Sequence, residues 1–199
     1  MKGMIMLILF FSFTLIGYCQ NSDTMKLPYE QIPEAPDDYT SGNVIARFID
    51  GLGYRYYWAT EGLTEKDLQF SPSEEARTTL QTIEHVYGLS IGILNAPQNL
   101  PNIRTTDTLN LSFDELRKQT LLNLKKASAL FSGKSAEEVS KYKVIFQSKE
   151  KTREFPYWNM INGQISDAIY HVGQIVSFRR SSGNAMNSKV SVFLGKTGN

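Results

Sequence analysis

Trp158-Asn-Met-Ile-Asn-Gly-Gln-Ile-Ser-Asp-Ala-Ile-Tyr-His-Val-Gly-Gln-Ile-Val-Ser-Phe178 decides how the rest of the chain is read. Its pattern is helical, and it is almost free of charge. From Phe155 to Phe178 only Asp167 is ionised at pH 7, and His171 is the one other group titrating near that pH. The two lie four residues apart, so on a helix they stand one turn above one another on a single face. The chain's other histidine, His85, lies in a second charge-poor segment, Thr78 to Ile93, where Glu84 is the only charge. Two quiet helices, each with a lone imidazole, predict one buried polar site between them.

On a helical wheel Ile161, Ile165, Ala168, Ile169, Val172, Ile175 and Val176 form an apolar face. Gln164, Asp167, His171 and Gln174 form a stripe roughly opposite. A stripe facing water is the ordinary reading of such a pattern. This one carries no Lys, Arg or Glu, and Met160, Tyr170 and Phe178 run along it. If it is buried, Asp167 must be paired, protonated or bound to a metal, because an isolated buried carboxylate costs too much.

Outward from this stretch the spacing predicts further helices. One begins at Thr40 or Ser41, either able to cap it, and carries Val44, Ile45, Phe48, Leu52 and Tyr56 to about Glu61. Gly51 and Gly53 within it suit close packing, and the cluster Tyr54, Tyr56, Tyr57, Trp58 reads as core. A second helix is expected after Ser71-Pro72, through Leu80, Ile83, Val86, Tyr87, Ile91 and Leu94, followed by a loop from Ala96 to Thr108. Ser112-Phe-Asp-Glu115 is a capping box opening a third helix, with Arg117, Lys118, Lys125 and Lys126 outward. A short helix is expected after Ser135, then a small hairpin from Lys143–Phe146 and Arg153–Phe155, then the main helix from Pro156 to about Arg180. Val190 to Phe193 reads as a strand or packed coil.

The chain has 199 residues and is 41% hydrophobic, enough for one domain with a real core. Residues 1–19 stand apart: Lys2, the apolar run Met4–Ile16 and Gly17-Tyr18-Cys19 have the layout of a secretory signal peptide. A membrane anchor is the competing reading of a run this short, and lipidation at Cys19 is another, though Tyr18 suits it poorly. Cys19 is the only cysteine, so cleavage after it leaves no thiol for a disulfide or a nucleophile. Residues 20–39, with three prolines, read as an extended leader, and 40–199 as the folded domain. Lys2 is the one charge among the first nineteen residues, which leaves 20 basic against 20 acidic residues from Gln20 onward. That balance speaks against nucleic acid as a partner. No membrane span is expected once the signal is removed; a small molecule and a second copy of the chain remain as partners.

Asp167 and His171 at i and i+4 have the spacing of a metal-binding pair, and His85 would complete a set of two imidazoles and one carboxylate. Such sets leave coordination positions free for water and substrate. The competing reading is a core histidine at 85 and a plain hydrogen-bonded pair at 167 and 171. From about Tyr39 to Gly183, Thr82-Ile-Glu-His85-Val-Tyr and Asp167-Ala-Ile-Tyr-His171-Val-Gly-Gln174 make the chain resemble the DinB-like (DinB/YfiT) superfamily of metal-dependent helical proteins. The resemblance implies an all-α four-helix bundle, here with a small hairpin before the last helix, and a divalent ion (zinc, nickel, iron or manganese). In the family three histidines hold the ion, one from the second helix and two as H-x-x-x-H on the last. His85 and His171 stand at two of those positions; Asp167 stands where the family usually has the third. That departure implies either an oxygen-richer site or a member that has lost its metal. Gln164 and Gln174 are expected to orient ligands or substrate. The functional expectation is therefore an exported, metal-dependent enzyme, hydrolytic rather than thiol-transferring; the alternative is a non-enzymatic binding or structural module.

Overall fold

The structure is a computed structural model that describes residues 26–103 and 110–198. The signal-peptide reading of residues 1–19, lipidation at Cys19, the first part of the leader and the end of the loop before Thr108 fall outside those residues. The described residues are mostly helical, with a few short strands.

Helix α1 spans Ser41–Thr60, and the Thr40 hydroxyl caps it by accepting from the Asn43 amide at 3.3 Å. A four-residue turn of helix, α2, follows at Glu65–Leu68. Helix α3 runs Thr79–Asn95. It starts later than the sequence predicts: Ser71 to Arg77 form turns, and Pro72 precedes the helix. The start is fixed by a capping box, in which Thr78 accepts from the Gln81 amide at 3.2 Å and Gln81 accepts from the Thr78 amide at 2.9 Å. Helix α4, Phe113–Phe131, opens on the Ser112–Glu115 box as expected, and α5 spans Ala136–Ser140.

The four long helices pack as a closed circuit, α1 on α4, α4 on α3, α3 on α7 and α7 on α1, where α7 is Ser166–Ser182. Ile49, Leu52, Tyr56, Ile83, Ile93, Leu116, Leu124 and Ile175 meet in the middle. Among the described residues no helix is long and apolar enough to cross a membrane.

The expected hairpin is present as β2 (Lys143–Gln147) antiparallel to β3 (Thr152–Pro156). It gains a neighbour the sequence did not announce: after a 3-10 turn at Ala96–Gln98, Pro101–Ile103 forms β1, parallel to β2. Three residues are too few to show a period of two. The main helix also departs from expectation. Pro156 closes β3; a short helix α6 covers Trp158–Met160, and a wide π-type turn takes Ile161–Ile165 before α7 begins. Gly163 sits there at φ −93°, ψ −108°, outside the helical region, and the Ser166 hydroxyl donates to the Ile161 carbonyl at 2.7 Å. Gly183, at φ +99°, ends α7, a conformation for which glycine is suited. The tail makes a two-stranded ladder, β4 (Val190–Ser191) with β5 (Lys196–Thr197).

Residues 26–39 lie against α1. The Tyr29 hydroxyl donates to Asp50 Oδ1 at 2.9 Å, the Trp58 ring N–H to the Glu30 carbonyl at 3.1 Å, and Arg47 to the Pro33 carbonyl at 2.7 Å. Gly53 makes this approach possible, since a Cβ there would fall 2.5 Å from the Tyr29 ring.

Candidate metal centre

The seam between α3 and α7 carries the polar cluster. His85 comes from the second turn of α3. Asp167 and His171 come from the first two turns of α7, just after the wide turn. Such turns recur at functional sites, and this one ends two residues before Asp167.

The Asp167 carboxylate lies between the two imidazoles. Its Oδ2 is 3.2 Å from His85 Nε2 and its Oδ1 is 3.3 Å from His171 Nε2. The rings meet edge to face, with centroids 4.5 Å apart and planes at 88°. One donor atom from each residue lies within 4.8 Å of the other two. Each imidazole faces a different oxygen of the carboxylate, at a separation that suits a hydrogen bond as well as two ligands of one ion. Among the described residues the carboxylate pairs with these two imidazoles and with no Lys or Arg.

Gln174 sharpens the argument. Its Oε1 lies 2.7 Å from His171 Nδ1. An amide oxygen only accepts, so Nδ1 carries a proton, and Nε2 is the ring nitrogen turned to the Asp167 carboxylate, to which it donates when protonated and beside which it offers a lone pair to a cation when not. The arrangement is also how metal-binding imidazoles are commonly held, with the far ring nitrogen anchored by a polar partner. The residues present fit a divalent ion.

Burial lowers the pKa of His85 below the ordinary histidine value. The hydrogen bond to Asp167 opposes this, while nearby His171 and Arg77 push it further down. The site is reachable from solvent: His171 is buried, but the His85 and Asp167 side chains keep 32% and 43% of their exposure. Gly88 shares the helix face of His85 one turn on, and a Cβ there would meet nothing within 4 Å. Gly88 is itself exposed, so this side of α3 faces solvent.

The other expected site residue sits apart. Gln164 makes no hydrogen bond to the cluster; its side chain lies over Gly92, whose added Cβ would be 3.4 Å from Gln164 Cγ. Nearby, Asn95 donates to Asn102 Oδ1 at 3.0 Å, and Asn102 donates to the Ile145 carbonyl at 3.0 Å, which ties α3 to the sheet. The wide turn explains the displacement: it breaks the regular wheel between 164 and 167. Glu84 stays outside the cluster, as its angle on the helix requires.

Among solved structures, a DinB-like protein from Bacillus subtilis, YjoA, superposes with a TM-score of 0.55, covering 77% of this chain and 98% of its own. The fold is DinB-like. At 12% identity the likeness is one of fold. No protein-family model matches the sequence, and no curated protein matches it.

Proposed function

We propose that the protein is a divalent-metal-dependent enzyme of hydrolytic type, built on a four-helix bundle, with His85, Asp167 and His171 as its ligands. One observation carries the reading: His85, Asp167 and His171 each bring a donor atom within 4.8 Å of the other two, with His171 Nδ1 held by Gln174 at 2.7 Å. When bound, an ion in this set supplies Lewis acidity toward a substrate oxygen or a water. The chain's own residues do the rest. Gln174 holds the His171 ring through Nδ1, and Asp167 contributes the negative charge. One carboxylate in place of an imidazole makes the set harder and richer in oxygen, which favours manganese or iron more than an all-histidine set would. Zinc and nickel remain compatible with two imidazoles.

Export belongs to the same proposal and rests on residues 1–19 alone. Cell fractionation with intact-mass measurement tests it: a mature chain beginning near Gln20 outside the cytoplasm supports export, and an unprocessed cytoplasmic chain contradicts it. The enzymatic reading is tested by hydrolysis of model ester, amide and phosphoester substrates with protein loaded with each metal. Activity that a chelator removes and that His85→Ala lacks supports it. A protein that binds metal and turns over none of these is instead the binding or structural module.

A further inference from the structure

A second feature of the molecule takes no part in the metal centre. A cavity of about 500 Å³ lies between residues 28–36, α1 and α4. Pro28, Pro33 and Pro36 stiffen one wall, and Ala46 and Ala129 keep the opposite wall low. Asp50 lines it and is only 9% exposed. Tyr29 donates to one of its oxygens at 2.9 Å, and the Ser128 hydroxyl lies beside the carboxylate. Both neighbours are neutral. The nearby guanidinium of Arg47 is engaged by the Pro33 carbonyl, and Lys125, on the rim, forms no ion pair among the described residues. Burial raises the Asp50 pKa against the pull of these hydroxyls and of Arg47, and among the described residues no cation forms an ion pair with the carboxyl, so a cation brought to it would be favoured.

We propose that this cavity binds a small molecule through a primary ammonium group, which the Asp50 carboxylate receives at its floor. An ammonium has three donors and no acceptor, which complements a carboxylate already served by hydroxyls. The proline and alanine walls hold a short aliphatic body. Lys125 at the rim distinguishes two sources of the same group: it repels a simple amine and attracts the carboxylate of an amino acid.

The test is a titration of the isotope-labelled full chain, followed by amide NMR shifts, with ethylammonium, β-alanine and the uncharged isostere n-propanol. The expected result is saturable shifts around Tyr29, Asp50 and Ser128 with an ammonium probe and none with n-propanol. Asp50→Asn should weaken binding about tenfold or more, the scale of a hydrogen bond to a charged group. His171→Ala should leave it unchanged, which separates this cavity from amine coordination at the metal centre. Lys125→Glu, an exposed change that spares the fold, should tighten ethylammonium and weaken β-alanine. The proposal is overturned if no ammonium probe gives saturable shifts there, or if a folded Asp50→Asn binds as wild type does. Should Asp50→Asn not fold, unaltered binding of both probes by Lys125→Glu overturns it.

Discussion

Gln174 does for His171 what no ligand can do for itself: it keeps a proton on Nδ1. Gln174→Ala should therefore weaken metal binding about 10–100-fold without unfolding the protein, the usual cost of losing such a partner. Competition against a chelator of known affinity measures this, and unchanged affinity would contradict the role. Asp67 makes a second prediction at this scale. It is buried and accepts from Asn184 at 2.7 Å, from Ser182, and from the Thr64 amide at 2.8 Å and hydroxyl at 2.7 Å. Burial pushes its pKa up, but these donors outweigh burial and hold the carboxyl well below the usual carboxylate range. Its contribution is then present above the unfolded value of about 3.9 and lost as pH falls below it, because the unfolded chain takes up the proton first. Asp67→Asn should lower the unfolding free energy at pH 7 by about 1.5–3 kcal/mol and flatten its decline below pH 4, as read by urea denaturation at each pH. Asp167, His171 and His85 were legible because the charge around them is so sparse. Asp67, Asn184 and Arg179 were not, since nothing local announces a network joining residues more than a hundred positions apart.

At the scale of elements, the carboxyl end of α1 is finished by other helices. Buried Arg179 of α7 donates to the Trp58 and Ala59 carbonyls at 2.9 and 3.1 Å, and Arg117 of α4 donates to the Tyr57 carbonyl at 3.4 Å. These groups answer the unpaired carbonyls that every helix leaves at its end. Arg179→Ala strands them and should cost about 3 kcal/mol or more. A much smaller loss in denaturant unfolding would show that water substitutes freely. Arg179 stands in the last turn of α7, and the structure uses it for its hydrogen bonds. Gly53 was expected to permit close packing, and it does, under the Tyr29 ring, while Gly51 meets only the end of the Arg55 side chain. Gly53→Ala should cost about 1–3 kcal/mol and loosen residues 26–39, which hydrogen exchange at the Ile32 amide, donating to the Gly195 carbonyl at 2.9 Å, would register. Helix starts with capping boxes were legible at Ser112 and Ser135. The start of α3 was misplaced because Pro72 is as good a helix opener as Thr78 until the Gln81 partner is counted. The wide turn at Ile161–Ile165 had only Gly163 to signal it, and one glycine in an apolar helical pattern is weak punctuation.

At the scale of the molecule, the helical, DinB-like character was legible from periodicity and from two histidines in quiet helices. The parallel strand β1 was not, because its partner lies 44 residues away in the register Pro101↔Ile145. If the cluster binds a divalent ion in the folded state alone, folding and binding are linked. At a free metal concentration near 100 times Kd the gain is about 2.7 kcal/mol, and for a chain of this size each kcal/mol moves Tm by about 2–4 °C. Calorimetry should show that rise in the wild type and none in Asp167→Ala. The most direct measurement is elemental analysis of the purified protein beside His171→Ala, each also after dialysis against zinc, nickel, iron and manganese in turn. The account predicts close to one equivalent of a divalent metal in the wild type and almost none in the variant. A folded wild type that carries no metal and takes up none of the four ions would contradict it, leaving His85, Asp167 and His171 as a hydrogen-bonded core cluster.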